Sequence, residues 1–345
     1  MRQALLEIGL EALPGRFLKP TLEQLKVNAV ELLKTNRLTV ESLAAYGTPM
    51  RLALLLTGLP ERSVPHVLEV TGPPARLWKN EKGDYTPQAR GFASAQGVGV
   101  DQLEIKQTPK GEFLLARKVL PPEATARVLV RVFEELICSL EFPKSMIWEG
   151  SGLRFARPIR NLLALYGKRV LSFSLAGVRS GNKVLGLVAL GSKPIAISSP
   201  ERYLGSLRDR CVLADLSERE STLIKSLDQA ARRATGIVDK DPDLVEHILC
   251  LTEHPVAILG HFNKDFLQLP MVLLETVLKQ QLKVFPVVGK NKQLLADFIA
   301  VRDGISEGQK EVQSGYKHVL EARFSDAQFY FKRDMKTSLE SKLPF

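Results

Sequence analysis

Cysteine is scarce in this chain. The three that occur, Cys138, Cys211 and Cys250, are odd in number, far apart and set among apolar or helical neighbours. They read as reduced core thiols, which excludes a disulfide framework and a thiolate metal site. Histidine is also sparse. His247, His254 and His261 are spaced by seven, but Pro255 intervenes and no Cys or carboxylate spacing completes a ligand set, so no metal is expected. No apolar run approaches the roughly 18 residues of a membrane span. Met1 leads straight into the strand-like QALLEIGLE, without the basic region and cleavage site of a secretory signal.

Catalytic signatures are missing as well. No Gly-x-x-x-x-Gly-Lys loop exists: Gly289-Lys290 lacks the preceding glycine. No Gly-x-Gly-x-x-Gly opens a helix and no Gly-x-Ser-x-Gly elbow occurs. The acid pairs Glu134/Glu135 and Glu218/Glu220 serve polar helix faces, and Ser145 beside Lys144 is explained as a turn residue. No catalytic or cofactor-binding residue is therefore assigned.

What is present is positive charge, and it is concentrated. Between Lys144 and Lys183 there are eight bases (Lys144, Arg154, Arg157, Arg160, Lys168, Arg169, Arg179, Lys183) against one acid, Glu149. That is +7 in 40 residues, in a chain of 345 whose formal net charge is only +10. A concentrated excess is the electrostatic footprint expected for a polyanion. Trp148 and Phe155 lie among the bases, where ring stacking on nucleotides is one reading and core packing the other.

Length and a 25% charged, 45% hydrophobic composition indicate two or three globular domains. Hydrophobic periodicity gives a strand over 3–11, a helix from Pro20 to Lys34, and strands over 43–46 and 51–59. Residues 60–86, rich in Pro, Gly and charge, read as a long connection. A short helix over 87–96, a hairpin over 103–119 and an amphipathic helix over 123–140 follow. Strands are expected over 161–166, 170–175, 184–190 and 194–198. A helix capped by Ser217 and Glu220 then runs to about Thr235. Beyond it come a helix from Asp241, a strand over 256–262, a helix over 269–281, and strands over 283–288 and 298–301. One or two helices from about Glu307 run towards the final Leu343-Pro344-Phe345. The fold class is α+β and multidomain: an N-terminal α+β module (1–140), a basic β-rich module (141–212) and a helix-rich module (213–345).

Certain words recur in order: LLEIGLEALP from Leu5, PMRLAL from Pro49, GFASAQG from Gly91, FPKSMIW from Phe142, RFARPIRNLLAL from Arg154, SGN from Ser180, EHPV from Glu253, FPV from Phe285 and RFSDAQFYF from Arg323. The series resembles the beta subunit of the bacterial-type heterotetrameric glycyl-tRNA synthetase across essentially the whole chain, as the N-terminal half of a subunit about twice this length. The resemblance implies a tRNA-binding and assembly subunit of glycine-tRNA ligase, with ATP, Mg and the chemistry on a separate alpha subunit. It implies an α2β2 assembly with that subunit, tRNA(Gly) as partner, no membrane and a cytoplasmic or organellar location. It also implies an N-terminal fold similar to the editing-type module of the phenylalanyl-tRNA synthetase beta subunit. A missing half would hold an HD-like helical domain and an anticodon-binding region. The bases that match the family pattern, Lys144, Arg154, Arg157, Lys283 and Arg323, together with neighbouring Arg160, are the implied tRNA-binding residues. Apolar residues stand where the pattern has polar ones at Leu10, Met50, Ile147, Leu282 and Val284. Two other readings remain open: a stand-alone RNA-binding or aminoacyl-tRNA deacylase module, and a degenerate structural scaffold.

Overall fold

A computed structural model of the chain describes residues 1–338 and 340–342; the terminal 343–345 lie outside the described residues. The first strand, β1 (Arg2–Leu10), is buried over most of its length because successive side chains serve two opposed cores. Helix α1 (Gly15–Thr35) follows. It starts at Gly15, one turn before the Pro20 start expected from the sequence. Phe17 and Leu18 extend the buried stripe of Leu22 and Leu25, and their burial offsets the backbone bond that Pro20 removes. Strands β2 (Ser42–Thr48) and β3 (Arg51–Leu59) form a hairpin, and β3 pairs antiparallel with β1.

Residues 60–86 are not the plain connection expected. They contain β4 (His66–Pro74), hidden in the sequence by Gly72-Pro73-Pro74. Gly72 is needed there, since a Cβ would lie 2.5 Å from the Phe92 ring. With α2 (Pro87–Gln96), β5 (Glu104–Thr108) and β6 (Gly111–Leu120), this strand builds a small lobe whose sheet order is β4-β6-β5. Its neck is pinned by Thr125 Oγ1 and Tyr166 OH, which both donate to the Pro60 carbonyl at 2.7 Å.

Helix α3 (Thr125–Cys138) packs beside α1. The β-rich stretch is more fragmented than expected: β7 (Ile159–Tyr166), β8 (Arg169–Val170), β9 (Ser174–Leu175), β10 (Val178–Gly181), β11 (Lys183–Val184) and β12 (Ile195–Ala196). The main sheet has the order β2-β3-β1-β7-β10-β9, with β8 on β7. It joins residues 2–59 to 159–181, so it runs across residue 140, where the sequence was divided. Helices α1 and α3 cover one face. The other receives α4 (Tyr203–Arg208), through Tyr203 and Leu207.

The remainder is a second α+β unit. Helix α5 (Leu216–Arg233) is capped by Asp215, whose carboxylate accepts from the Ser217 and Glu218 amides; the cap thus lies two residues before the Ser217 expected from the sequence. After it come β13 (Ile237–Val238), α6 (Pro242–Leu249), β14 (Pro255–His261), α7 (Met271–Glu275), a π-helical segment (Thr276–Gln281), β15 (Phe285–Val288), β16 (Leu294–Asp303) and α8 (Gln309–Asp334). The sheet order is β13-β15-β16-β14. Along β16, Ile299 and Val301 face α5 and α6, while Phe298 and Ala300 face α8. No helix among the described residues is long and apolar enough to cross a membrane.

Candidate nucleic-acid interface and a buried ionic cluster

The basic stretch begins on a loop, 141–158, that is firmly folded. Gln24 on α1 exchanges two hydrogen bonds with the Glu141 backbone, at 3.0 and 3.1 Å. Phe142 then packs between Phe17 and Phe155, with ring centroids 6.3 and 4.6 Å away. The backbones of Met146 and Phe155 pair at 2.8 and 3.2 Å. Glu149 accepts from the Ser151 amide and hydroxyl, and that bonding holds its carboxyl below the usual range. Phe155 is fully buried and Trp148 is half-buried against the same core. The stacking role weighed for these rings is therefore closed to Phe155.

On this rigid loop Lys144 and Arg154 face solvent, with Arg154 Nε donating to Ser145 Oγ at 3.3 Å. Arg157 is half-buried and donates from Nε to the Ala12 carbonyl at 3.0 Å. Arg160 is exposed but ion-paired with Glu11, so its charge is partly neutralised. These four bases sit on the loop and at the start of β7. Lys168 and Arg169 lie past its far end; with Arg169 opposite Tyr166, about 23 Å of strand intervenes at ~3.3 Å per residue. The linear concentration of charge thus divides in space.

Lys283 and Arg323 belong to the second unit. Lys283 follows the π-helical segment with a left-handed backbone (φ 54°) and stands near His247, whose pKa is lowered by burial and by the lysine charge. Arg323 is exposed on α8, at the rim of an apolar groove. The other histidines of the seven-spaced series have separate partners: His254 Nδ1 meets the Gly304 carbonyl at 2.6 Å, and His261 pairs with Asp297. Of the thiols, Cys250 is buried, but Cys138 is exposed, contrary to the core setting expected for all three.

The densest charge cluster was not assigned any role in the sequence reading. Arg51 reaches Glu253 from Nε at 3.1 Å, and from Nη1 it reaches Glu7 at 3.3 Å and the Leu185 carbonyl at 2.8 Å. Tyr203 OH donates to Glu7 and Thr48 Oγ1 donates to Glu253, each at 2.5 Å. All five side chains belong to residues no more than 2% exposed. Burial pushes the Glu7 carboxyl up against the opposing pull of Arg51 and Tyr203. It also raises Tyr203, with the Glu7 charge adding to the effect, and so keeps the phenol a donor. Burial works against the Arg51 charge too, but the two carboxylates outweigh it and raise that pKa.

A second buried guanidinium completes the junction. Arg219 donates to the carbonyls of Leu249 (3.1 Å), Gly47 (2.9 Å) and Leu213, and burial pushes its pKa down to about 10. Asp303 accepts from the Glu253 and His254 amides at 3.0 and 2.6 Å. Arg51 thus bridges two carboxylates while Arg219 gathers three backbone carbonyls, and together they tie β1, β3, α4 and α5 to the start of β14. A cavity of about 30 Å³, room for about one water, opens beside them near Glu7, Arg51, Arg160 and Asn161. With its five side chains buried and bonded to one another, the cluster has the character of a structural junction. Its signal in the sequence was a charge inside an otherwise apolar strand: Glu7 within LLEI, and Arg51 ahead of LALLL.

The family described as glycyl-tRNA synthetase beta subunit matches residues 4–344. Proteins named glycine–tRNA ligase beta subunit are similar throughout: 36% identical over 343 residues in Moorella thermoacetica, and 38% over 339 and 337 residues in Desulforamulus reducens and Clostridioides difficile. These matches take in 98–99% of this chain and 49% of each relative, so the chain spans about half the length of the curated relatives it matches. Glu7, Arg51 and Glu253 all fall within the matched span, and the chain belongs to the glycyl-tRNA synthetase beta subunit family.

Proposed function

We propose that this chain is the tRNA-gripping and assembly part of a glycine–tRNA ligase, and that activation of glycine with ATP takes place on a separate alpha subunit in an α2β2 enzyme of the cytoplasm. The observation that carries the reading is the folded loop 141–158, which presents Lys144 and Arg154 to solvent from a backbone anchored in the core. A cation on an anchored loop meets a phosphate with little further ordering, which favours it over one on a mobile segment. The ionic cluster around Arg51 is enclosed and serves to hold the two units together, so it offers no acid or base to a substrate. Arg157 and Arg160 support the same surface, while Lys283 marks a second basic point. The N-terminal sheet with its helices is further proposed to share the architecture of the editing-type module of the phenylalanyl-tRNA synthetase beta subunit, without a deacylase role.

The test is tRNA binding as a function of salt. Each phosphate contact released lowers the slope of log K against log salt by about 0.7–0.9, so Lys144→Ala with Arg154→Ala should flatten it by about 1.4–1.8 and weaken binding at low salt. An unchanged slope and affinity would remove the loop from the RNA interface. Turnover of mischarged tRNA by the purified chain would instead favour the deacylase reading.

A further inference from the structure

Helix α8 carries more apolar surface than its neighbours cover. One face is buried in the ordinary way: Leu320 and Phe324 pack on the second unit, and the Phe324 ring lies 5.0 and 5.4 Å from those of Phe262 and Phe266. In the last turns, however, rings project on other sides as well. At about 100° per residue, Phe329 points about 140° away from Phe324 on one side and Tyr330 about 120° away on the other. Phe329 is 62% and Tyr330 53% exposed, and Met335 is 73% exposed. Large apolar rings exposed together at one end of a helix are normally covered by a partner.

Next to these rings runs a groove of about 650 Å³ between α8 and the α7–π segment. Leu273, Val277, Tyr330 and Phe331 line it, and Arg323, Asp326 and Asp334 bring charge of both signs to its rim. Met271 and Val272 are exposed on α7. The bases Lys332 and Arg333 lie in the last turn of α8, with the Arg333 guanidinium 4.9 Å from the Tyr330 ring centroid. The surface has the form of a helix-accepting groove: an apolar floor with charges of both signs beside it. The relatives matched across this chain carry as much polypeptide again outside the match.

We propose that this groove seats an amphipathic helix from the half of the beta subunit that the relatives carry outside the matched region. Its apolar stripe enters the groove and covers the Phe329–Tyr330 turn. The proposal does not depend on tRNA binding by the 141–158 loop, and either can fail without the other.

The experiment places the photo-crosslinker benzoyl-phenylalanine at Phe329, and separately at Tyr330, in a chimera of this sequence followed by the unmatched half of the Moorella thermoacetica subunit. The expected product is a crosslink within the same polypeptide, to the added half. Crosslinks to a second copy, to an alpha subunit or to tRNA, or no crosslink at all, would overturn the proposal. In parallel, Phe329→Asp with Tyr330→Asp should leave the thermal midpoint of this chain unchanged and lower that of the chimera by several degrees; an unmoved chimera also overturns it. Should the chimera not fold, the same replacements are made at the equivalent positions of the full-length Moorella thermoacetica subunit and read in the same way.

Discussion

Replacing Arg51 by Met tests the ionic junction against a matched control within the same chain. Arg51 binds two carboxylates, Glu253 at 3.1 Å and Glu7 at 3.3 Å, where the side chains are 3% exposed or less. Arg117 also binds two carboxylates, Glu69 at 3.1 Å and Glu104 at 3.0 Å, but its side chain is 49% exposed. The bridge count is equal and the distances are alike; only the surroundings differ. Removing Arg51 strands two carboxylates in the interior and leaves the Leu185 carbonyl without that donor, so Arg51→Met should cost about 3–5 kcal/mol. Arg117→Met should cost no more than about 1 kcal/mol, because water takes over solvation of Glu69 and Glu104. Urea unfolding followed by the fluorescence of Trp78 and Trp148, which report on the lobe and the main core, reads both variants. Adding Glu7→Gln to Arg51→Met should recover part of the loss by removing one stranded charge. Equal costs for the two arginine variants, or no recovery on adding Glu7→Gln, would refute the reasoning.

Glu7→Gln on its own should change how stability depends on pH. Burial raises the folded-state pKa of Glu7 above 4.5, so its contribution is full below about 4.5 and is lost as pH rises through the raised value. The stability advantage of the parent protein over Glu7→Gln should therefore shrink across that window, as read from urea midpoints at a series of pH values. Asp215→Ala should cost about 1 kcal/mol through loss of the α5 cap, while Ser217→Ala should be nearly neutral, by the same unfolding assay. Gly260→Ala should destabilise by about 1–3 kcal/mol, because the new Cβ would stand 2.2 Å from the Phe298 ring; Phe298→Leu in the same chain should recover part of that loss.

The parts of the fold that follow from local rules were legible in the sequence. The 87–96 helix lies where Pro87 and Gly97 placed it, with Gly97 left-handed as its cap. Strand β1 and the hairpin of β5 and β6 were equally readable. Strand β4 was not, because its prolines and Gly72 mask a pairing that depends on distant β6 and on the approach of Phe92. The basic run misled in a different way: density along a chain says nothing of the strand that carries Arg160 and Arg169 to opposite ends. Phe155 stood among arginines in sequence and among aromatic rings in space. The junction was half visible. Glu7, Arg51 and Glu253 each sat in one of the words that carried the family resemblance, yet no linear pattern brings position 7 to position 253. Only the crossing of β1, β3 and the loop before β14 does so.

The most direct test of the account is glycine-dependent ATP–pyrophosphate exchange by the purified chain, shown free of any partner protein. A protein that only holds tRNA and organises an enzyme should give no exchange above background. Exchange at a measurable rate from that preparation would place adenylate chemistry on this chain and contradict the account.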